Sequence, residues 1–379
     1  MKIGIVCYPT YGGSGVVATE LGKALALKGH EIHFISYSQP FRLDFFSENI
    51  FYHEVDISDY PLFDYKPYEL ALTGKLVDVV KYEKLDLLHV HYAIPHASAA
   101  YMAKQILASE GIHVPYITTL HGTDITLVGK DSSFGPVITF SINQSDAVTA
   151  VSANLREDTY RLFPVTKEVD VVHNFIDIKH YEHITDPCFR PFYALDSEHI
   201  ITHVSNFRKV KRVEDVVKVF AKIRQSMPAK LLLVGDGPER NHIESLCREL
   251  GLWGDVRFLG KLKTVEKVLA VSDLFLLTSE TESFGLSALE AMASKVPVIS
   301  TNTGGLPEVN INGVTGFTSN VGDIDDMAAN ALKILTDPIT HSQFKENAYN
   351  KALEFDINNI LPQYEAIYAR VLNVEVAVK

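Results

Sequence analysis

Two glutamates eight positions apart, Glu282 and Glu290, bracket the segment E-S-F-G-L-S-A-L-E. A helix starting near residues 283–285 leaves the amides of Ser283, Phe284, Gly285 and Leu286 without intrahelical acceptors. The helix dipole adds about half a unit of positive charge there, so such a tip suits phosphate. A pyrophosphate on it places Glu282 beside whatever is attached beyond the phosphates. Glu290, about two turns along the helix, is then placed to accept ribose hydroxyls. Either glutamate alone reads as a capping acid or an exposed helical residue. One acid on each side of a diphosphate is what a nucleotide-sugar site needs.

A second constellation is cationic. Arg208, Lys209, Lys211 and Arg212 occupy four of five positions after an apolar run at 200–204. In an acidic chain, at the carboxyl end of a strand, this reads as an anion site rather than a solvated loop. Gly13-Ser14-Gly15-Val16-Val17-Ala18 fits the G-x-G-x-x-A dinucleotide fingerprint. The second strand, 31–36, ends in Ser-Tyr-Ser rather than in the Asp or Glu that holds an NAD ribose. The loop, entered through Tyr11-Gly12, therefore offers close backbone approach and the Ser14 hydroxyl without implying a dehydrogenase. By itself it is equally a tight turn.

His89, His91, Tyr92 and His96 lie along one strand and the helix start after it, and His121-Gly122-Thr123-Asp124 follows another strand at 117–120. His89 and His91 share one strand face. With no acid or cysteine nearby to complete a ligand set, they read as hydrogen-bonded core histidines rather than metal ligands. Tyr92 and His121 fall at carboxyl strand ends, the edge that faces ligands in open α/β sheets. His121 can bond a sugar hydroxyl or aim its carbonyl at developing positive charge; otherwise Asp124 or backbone satisfies it. Thr118 and Thr119 could donate to an anionic acceptor.

The elements that must position these residues alternate β and α throughout. Around the two glutamates the pattern is a strand at 274–277, a loop, a helix and a strand at 296–300. Further strands fall at 3–7, 50–55, 146–150, 169–172, 231–235 and 256–260, the last ending in Gly260, and a helix covers 76–82. Ser152 caps a helix, and Asp323, in the D-x-D of Asp323-Ile324-Asp325, caps another rather than clamping a metal. Residues 179–197, with Pro187 and Pro191, read as an irregular linker. A helix with apolar positions Ile357, Ile360, Leu361, Tyr364, Ile367, Tyr368, Val371 and Leu372 ends the chain.

The E-x7-E within E-S-F-G, followed by V-P-V-I-S-T-x-x-G-G-L-P-E, resembles the donor-site signature of the retaining GT-B glycosyltransferases of family four. T-L-H-G-T-D resembles that family's H-G-T-D segment, and His173–Asp177 its hinge, with Phe175 where Gly is usual. The resemblance covers nearly the whole chain. It implies an α/β fold of two facing Rossmann-like doubly wound domains with a cleft between them: 1–172 binding acceptor, 173–355 binding the nucleotide sugar, and a helix at 356–379 returning to the first. It implies catalytic roles for His121, Arg208, Lys211 and Glu282. Gly13, the backbone at Gly260, Ser283, Phe284, Gly285 and Leu286, and the carboxylate of Glu290, would bind donor. Asn206 stands where the family usually has Arg, so Arg208 is expected to supply the missing charge and Asn206 to join Ser14, Tyr92 and Thr118 at the acceptor. At closer range G-G-S-G-V-V-A-T-E, F-I-S-Y-S-Q-P-F-R-L, H-V-H-Y-A-I-P-H-A and S-N-F-R-K-V-K-R resemble the bacterial branch acting on UDP-GlcNAc and L-malate at the start of bacillithiol biosynthesis. No metal or cofactor is implied. A relative with another small acceptor, a UDP-sugar epimerase or hydrolase on the same plan, and a nucleotide-sugar sensor are the competing readings.

Composition narrows the classes. With 379 residues, 46% of them hydrophobic, the chain can form two cores. Its net charge is −12, and residues 1–170 carry 13 Lys/Arg against 20 Asp/Glu, a balance of −7. That argues against nucleic acid and against a basic membrane-docking face. Three scattered cysteines, Cys7, Cys188 and Cys247, point to a reducing cytosol rather than a disulfide framework. The N-terminus does not read as a signal peptide, and no apolar run reaches a membrane span of ~18 residues. The sequence leaves a homodimer open.

Overall fold

A computed structural model describes residues 1–10, 12–43, 48–57, 66–127, 129, 131–182 and 189–373. Tyr11, part of the aromatic segment 41–68, Pro187, Cys188 and the last residues of the expected 356–379 helix lie outside the described residues. The chain divides into two compact units, Met1–Phe175 with Ile357–Lys379, and Ile176–Asp356.

The first unit holds a seven-stranded parallel sheet of β1 (Lys2–Val6), β2 (Glu31–Ser36), β3 (Ile50–Glu54), β4 (Leu87–His91), β5 (Tyr116–Leu120), β6 (Ala147–Ala150) and β7 (Val169–Val171), in the order β3-β2-β1-β4-β5-β6-β7. The second holds a six-stranded parallel sheet of β8 (His199–Val204), β9 (Ala229–Val234), β10 (Val256–Gly260), β11 (Leu274–Leu277), β12 (Val298–Thr301) and β13 (Gly316–Ser319), in the order β10-β9-β8-β11-β12-β13. Every residue of β4, β5, β11 and β12 is buried. That is the expected state of central parallel strands covered on both faces, and it explains their near-continuous apolar runs. In each sheet the winding reverses between the first strand and the fourth, β1 against β4 and β8 against β11. Loops leaving the carboxyl ends of such a pair diverge and leave a crevice, which is where this architecture binds ligands.

Each unit has its own core. In the first, Val6, Ile35, Leu72, Leu88, Val90 and Tyr116 pack between sheet and helices. In the second, Ile201, Phe220, Leu231, Leu233, Leu276 and Ile299 do the same. The final helix, Ile357–Leu372, buries Ile360, Leu361, Tyr364, Ile367 and Tyr368. It belongs to the first unit, where Tyr368 OH lies 2.8 Å from His89 Nδ1 and Glu365 meets Lys28 at 2.8 Å. Ser152 and Asp323 both cap: the amide of Leu155 donates to Ser152 Oγ at 3.0 Å and that of Asp326 to Asp323 Oδ1 at 3.1 Å.

Several strand ends shift by a residue or two from the sequence reading, and three differences have a clear local reason. β12 begins at Val298 rather than Val296, because Lys295 is left-handed (φ 58°) and the Val296 amide turns back to Ala291 O at 2.9 Å. The helix after β11 spans Leu286–Ala293, because Gly285 at φ 99° stops it one step short. Ser283 and Phe284 thus belong to the loop. Finally, part of the expected linker is integral to the second unit. Arg190 donates to Val271 O (2.9 Å), Glu198 O (2.8 Å) and Asp273 Oδ2 (2.9 Å), and Ala194 packs with Ile200 and Leu232.

Candidate active site

In the second unit, the loops after β8 and β11 meet at the winding reversal. The β8 loop carries a 3-10 turn at Lys209–Lys211. Thr278 Oγ donates to the carbonyls of Lys211 (3.1 Å) and Arg212 (2.9 Å), and the Glu280 amide donates to Val210 O at 2.8 Å. The basic loop is thereby bound to the acidic one. Across this seam Lys211 Nζ reaches Glu282 Oε2 at 2.6 Å, and Ser279 Oγ donates to the same oxygen at 3.2 Å. Arg212 is occupied by the buried Asp215 at 2.6 Å. Arg208 and Lys209 are exposed and, among the described residues, have no carboxylate partner. Arg208 is therefore a cation open to an anionic ligand. Asn206 lies exposed two residues before it.

The Glu282 loop is held from beneath by the segment after β12. Thr301 Oγ donates to Ser279 O at 2.7 Å, Thr303 Oγ to Glu280 O at 3.1 Å, and the Gly305 amide to Glu282 O at 2.9 Å. Gly304 adopts φ 57°, and a Cβ there would stand 1.9 Å from Glu282 O. Gly285, also left-handed, would drive a Cβ to 2.5 Å from Leu306 Cδ2. Only glycine fits either place. Intrahelical bonding starts with the amides of Ala288 and Leu289, both donating to Gly285 O. The amides of Leu286 and Ser287 therefore form the helix tip. The Phe284 ring is buried edge-on against Phe355, which leaves Phe284 a backbone contribution only. Glu290 is nearly buried on the same helix, and Tyr181 OH donates to its Oε1 at 3.3 Å. Gly260 ends β10 at φ 67° and accepts the Gly235 amide at 2.8 Å.

In the first unit the reversal between β1 and β4 brings Ser14 and Tyr92 together. Gly13 and Ser14 open the helix Gly13–Leu27, and Tyr92 OH donates to Ser14 Oγ at 2.7 Å. Tyr92 adopts φ 86°, and its ring lies 5.2 Å from that of His121 at the end of β5. Burial pushes the Tyr92 hydroxyl up to about 12, so it stays protonated as a donor. His121 Nε2 lies 2.7 Å from His91 Nδ1, one of the two nitrogens carrying the shared proton. Burial, with the neighbouring histidines, holds His121 down to about 3.

His89, His91 and His96 are core histidines. His89 bridges Tyr368 OH (2.8 Å) and Thr119 Oγ (2.7 Å), and His96 Nδ1 donates to His91 O at 2.5 Å. Asp124 is not the partner of His121. Its carboxylate accepts the amides of Ala93 (2.7 Å) and Gly122 (3.2 Å), tying the β4 loop to the β5 loop. Burial raises Asp124 to about 6 against those amides. Thr118 is not brought to this group: it is fully buried and its hydroxyl pairs with Ser145 Oγ at 2.8 Å. Thr119 is likewise spent, on His89 and on Thr149 Oγ at 2.7 Å.

The sequence reading missed two contributors. Tyr8, at the end of β1, packs 5.4 Å from the Tyr92 ring and 4.5 Å from His96. Its position just past a strand at the winding reversal was the available signal. Thr278, whose hydroxyl fastens the cation loop, could have been flagged by the same rule.

Two parallel sheets wound this way, with a basic loop clamped to an acidic loop at a helix tip, are the arrangement that resemblance to the GT-B glycosyltransferases implies. The sequence matches the pattern described as Glycosyl transferases group 1 over residues 189–351, and that described as Glycosyltransferase Family 4 over residues 11–180. It is 51% identical over 374 residues to N-acetyl-alpha-D-glucosaminyl L-malate synthase of Bacillus anthracis, covering 98% of this chain and 97% of that one. Among solved structures it resembles a glycosyltransferase of Rickettsia africae (TM-score 0.80, 20% identity, 99% of both chains). It also resembles HepE of Anabaena in complex with UDP and glucose (TM-score 0.81, 20% identity, 97% of this chain and 99% of that one). The chain belongs to the family-four glycosyltransferases.

Proposed function

We propose that the chain transfers N-acetylglucosamine from UDP-GlcNAc to the hydroxyl of L-malate with retention at the anomeric carbon, releasing UDP. The observation that carries this reading is the 51% identity, end to end, with a relative named for that product. The product is the compound with which bacillithiol biosynthesis begins.

In this reading the second unit takes the donor. The amides at the helix tip, with Arg208 and Lys211, hold the diphosphate, Glu290 takes the ribose, and the backbone around Gly260 takes the base. Glu282 orients the sugar. As the bond from C1 to the β-phosphate oxygen breaks, negative charge grows on that oxygen, and fixed cations and amides stabilise it without reorganising. The malate hydroxyl attacks C1 from the same face and its proton passes to the departing phosphate. This route needs no carboxylate nucleophile, unlike retaining hydrolases with their paired acids. The first unit takes malate through Ser14 and Tyr92. His121 presents its ring or its carbonyl to the sugar. Thr118 drops out, because a buried hydroxyl bonded to Ser145 has nothing to offer a ligand.

A cytosolic location fits the reading: Cys7 and Cys247 are free and buried, and among the described residues no helix is long and apolar enough to cross a membrane. The reading leaves a homodimer open; Met102 and Ile106 on the helix Ser98–Ser109 and Val137 and Phe140 on the helix Gly135–Gln144 are exposed. Light scattering tests it against the chain mass of 42.2 kDa.

The deciding experiment measures UDP release from UDP-GlcNAc with and without L-malate, with the product examined by mass and proton NMR. Malate-dependent release of an α-linked product is expected. Malate-independent release would replace the proposal with a hydrolase or epimerase.

A further inference from the structure

Away from both winding reversals, the edge of the first sheet carries a group of side chains that the transfer does not use. His33 stands in the middle of β2 and is fully buried. His53 stands on β3, opposite Ile35 in the parallel register, two residues beyond the partner of His33. Period-2 alternation therefore puts both imidazoles on one face of the sheet. Glu83 ends the helix Tyr68–Glu83 that covers this face. One ligand atom from each of His33, His53 and Glu83 lies within 4.8 Å of the others.

The internal geometry turns the two imidazoles toward one point, so a cation entering between them would take the place of the proton they share. His33 Nδ1 faces His53 Nε2 at 2.8 Å, and the rings are nearly parallel at 17°. His33 Nε2 lies 3.0 Å from Glu31 Oε1, and Glu31 is itself paired with Lys2 at 2.7 Å. If His33 Nε2–H donates to Glu31, Nδ1 is left with its lone pair pointing at His53. A carboxylate that fixes the tautomer and raises the basicity of a ligating imidazole is the usual outer partner of a metal-bound histidine. Phe51 stacks on His33 at 4.9 Å and 16°, which holds the ring plane.

We propose that His33, His53 and Glu83 bind a divalent cation of the zinc class, with Glu31 orienting His33. Two imidazoles and one carboxylate suit zinc and its neighbours, whereas magnesium and calcium take oxygen ligands. In a tetrahedral zinc site, with bonds of about 2.0–2.2 Å, neighbouring ligand atoms stand about 3.3 Å apart. The two nitrogens need open by about half an ångström, and Glu83, within 4.8 Å of both, need close by at most about an ångström and a half. The fourth position is left for water. Because β3, among the described residues, pairs only with β2 in the sheet, a cation here would tie the edge strand to β2 and to the end of the covering helix. Its role is that of a clamp on the edge, distinct from the transfer chemistry of the β1, β4 and β5 loops.

The test uses the full chain, freed of metal with EDTA and desalted. Zinc is titrated by calorimetry, and cobalt(II) is followed by its visible absorption, in the wild type, His53→Gln, Glu83→Gln and Glu31→Gln. His53 and Glu83 are only partly buried, so their variants are expected to fold, and circular dichroism of the metal-free proteins checks this. The expected result is one zinc per chain, a tetrahedral cobalt spectrum, and a thermal midpoint raised by zinc. Glu31→Gln should weaken binding by roughly 10–100-fold, and His53→Gln or Glu83→Gln by more. Zinc bound by the His53→Gln/Glu83→Gln double variant as tightly as by wild type overturns the proposal, as does a wild type that binds neither metal.

Discussion

Lys211 Nζ and Glu282 Oε2 stand 2.6 Å apart, with 20% and 16% of their side chains exposed. The pair joins the loop after β8 to the loop after β11, so it is both a fastener and the meeting point of the two groups proposed to handle the leaving phosphate and the sugar. A pair this sheltered is poorly screened, and removing one member leaves the other charged in a poor solvent for it. Lys211→Met should lower kcat by about 10²–10³, the usual cost of one stabilising donor at a developing oxyanion, and Glu282→Gln, which loses the carboxylate that orients the sugar, should lower it by about 10². The two losses should not add. A double-mutant cycle on kcat/KM is expected to give a coupling of roughly 0.5–3 kcal/mol. Strict additivity would show that the residues act on separate parts of the reaction.

Gly304 sets the position of Glu282 without touching a ligand. Its φ of 57° and the 1.9 Å approach of a built Cβ to Glu282 O leave no room for alanine. Gly304→Ala must therefore move the Glu282 backbone, and a misplacement of about 1 Å can cost 100-fold in rate. We expect kcat to fall by about that factor, while the second unit still unfolds cooperatively in urea. A Gly304→Ala enzyme with unchanged kcat would mean that Glu282 tolerates displacement and does not orient the sugar.

The Glu282 region was legible because its information is local. Strand, loop, helix and strand follow one another within residues 274–301, and the punctuating Gly285 and Gly304 sit where the backbone takes a positive φ. The parts that were not legible depend on register between distant segments. Sequence offers Asp124 or backbone as the alternative partner of His121, yet its ring meets His91, brought alongside by the pairing of His91 with Thr119. Thr118 and Thr119 face opposite sides of β5, and no local pattern says that both sides are already occupied, by Ser145 and by His89. Residues around Arg190 looked like linker because the acceptors that fix its guanidinium, Val271 and Asp273, lie some eighty positions away.

Ser14 and Tyr92 separate acceptor effects from donor effects. Tyr92 OH donates to Ser14 Oγ at 2.7 Å, so the serine hydroxyl proton remains available to an anion while its oxygen is held in place. Ser14→Ala removes that donor. An expected loss of about 1.5–3 kcal/mol for a hydrogen bond to a charged group corresponds to a roughly 10–150-fold rise in KM for malate. KM for UDP-GlcNAc should stay near its wild-type value. Equal shifts in both constants would move Ser14 out of the acceptor site. Asn206→Ala is read the same way, and an unchanged malate KM would remove Asn206.

Metal removal distinguishes the transfer from the proposed edge cation. The leaving phosphate is assigned to Arg208, Lys211 and the helix-tip amides, so malate-dependent UDP release should survive exhaustive EDTA treatment. Stability should respond instead: the thermal midpoint of EDTA-treated protein should rise when zinc is restored and should not rise with magnesium. Loss of turnover on EDTA, recovered by magnesium, would overturn the assignment of the leaving-group charge to protein cations.

The histidines behind the acceptor loops predict how the first unit responds to acid. Burial holds His89 and His121 down to about 3, His96 to about 4, and His91 well below its ordinary 6.5. In the unfolded chain each takes a proton near 6.5. Below that pH the unfolded state therefore binds more protons than the folded one, and stability falls as pH drops from about 6.5 toward 3; above 6.5 it is flat. At pH 5 each such site costs about 2 kcal/mol, a large share of a typical domain's stability of about 5–15 kcal/mol. Asp124 acts with the opposite sign. Raised to about 6 from 3.8, it takes its proton in the folded state first, and so returns up to about 3 kcal/mol between those two values. One carboxylate does not offset four histidines, so the net trend is acid destabilisation beginning below pH 6.5. Urea midpoints measured at intervals between about pH 4.5 and 7.5 should fall steadily below 6.5. A midpoint that held constant down to pH 5 would mean that these imidazoles accept protons in the folded protein, and the neutral chain from His89 to His121 would have to be abandoned.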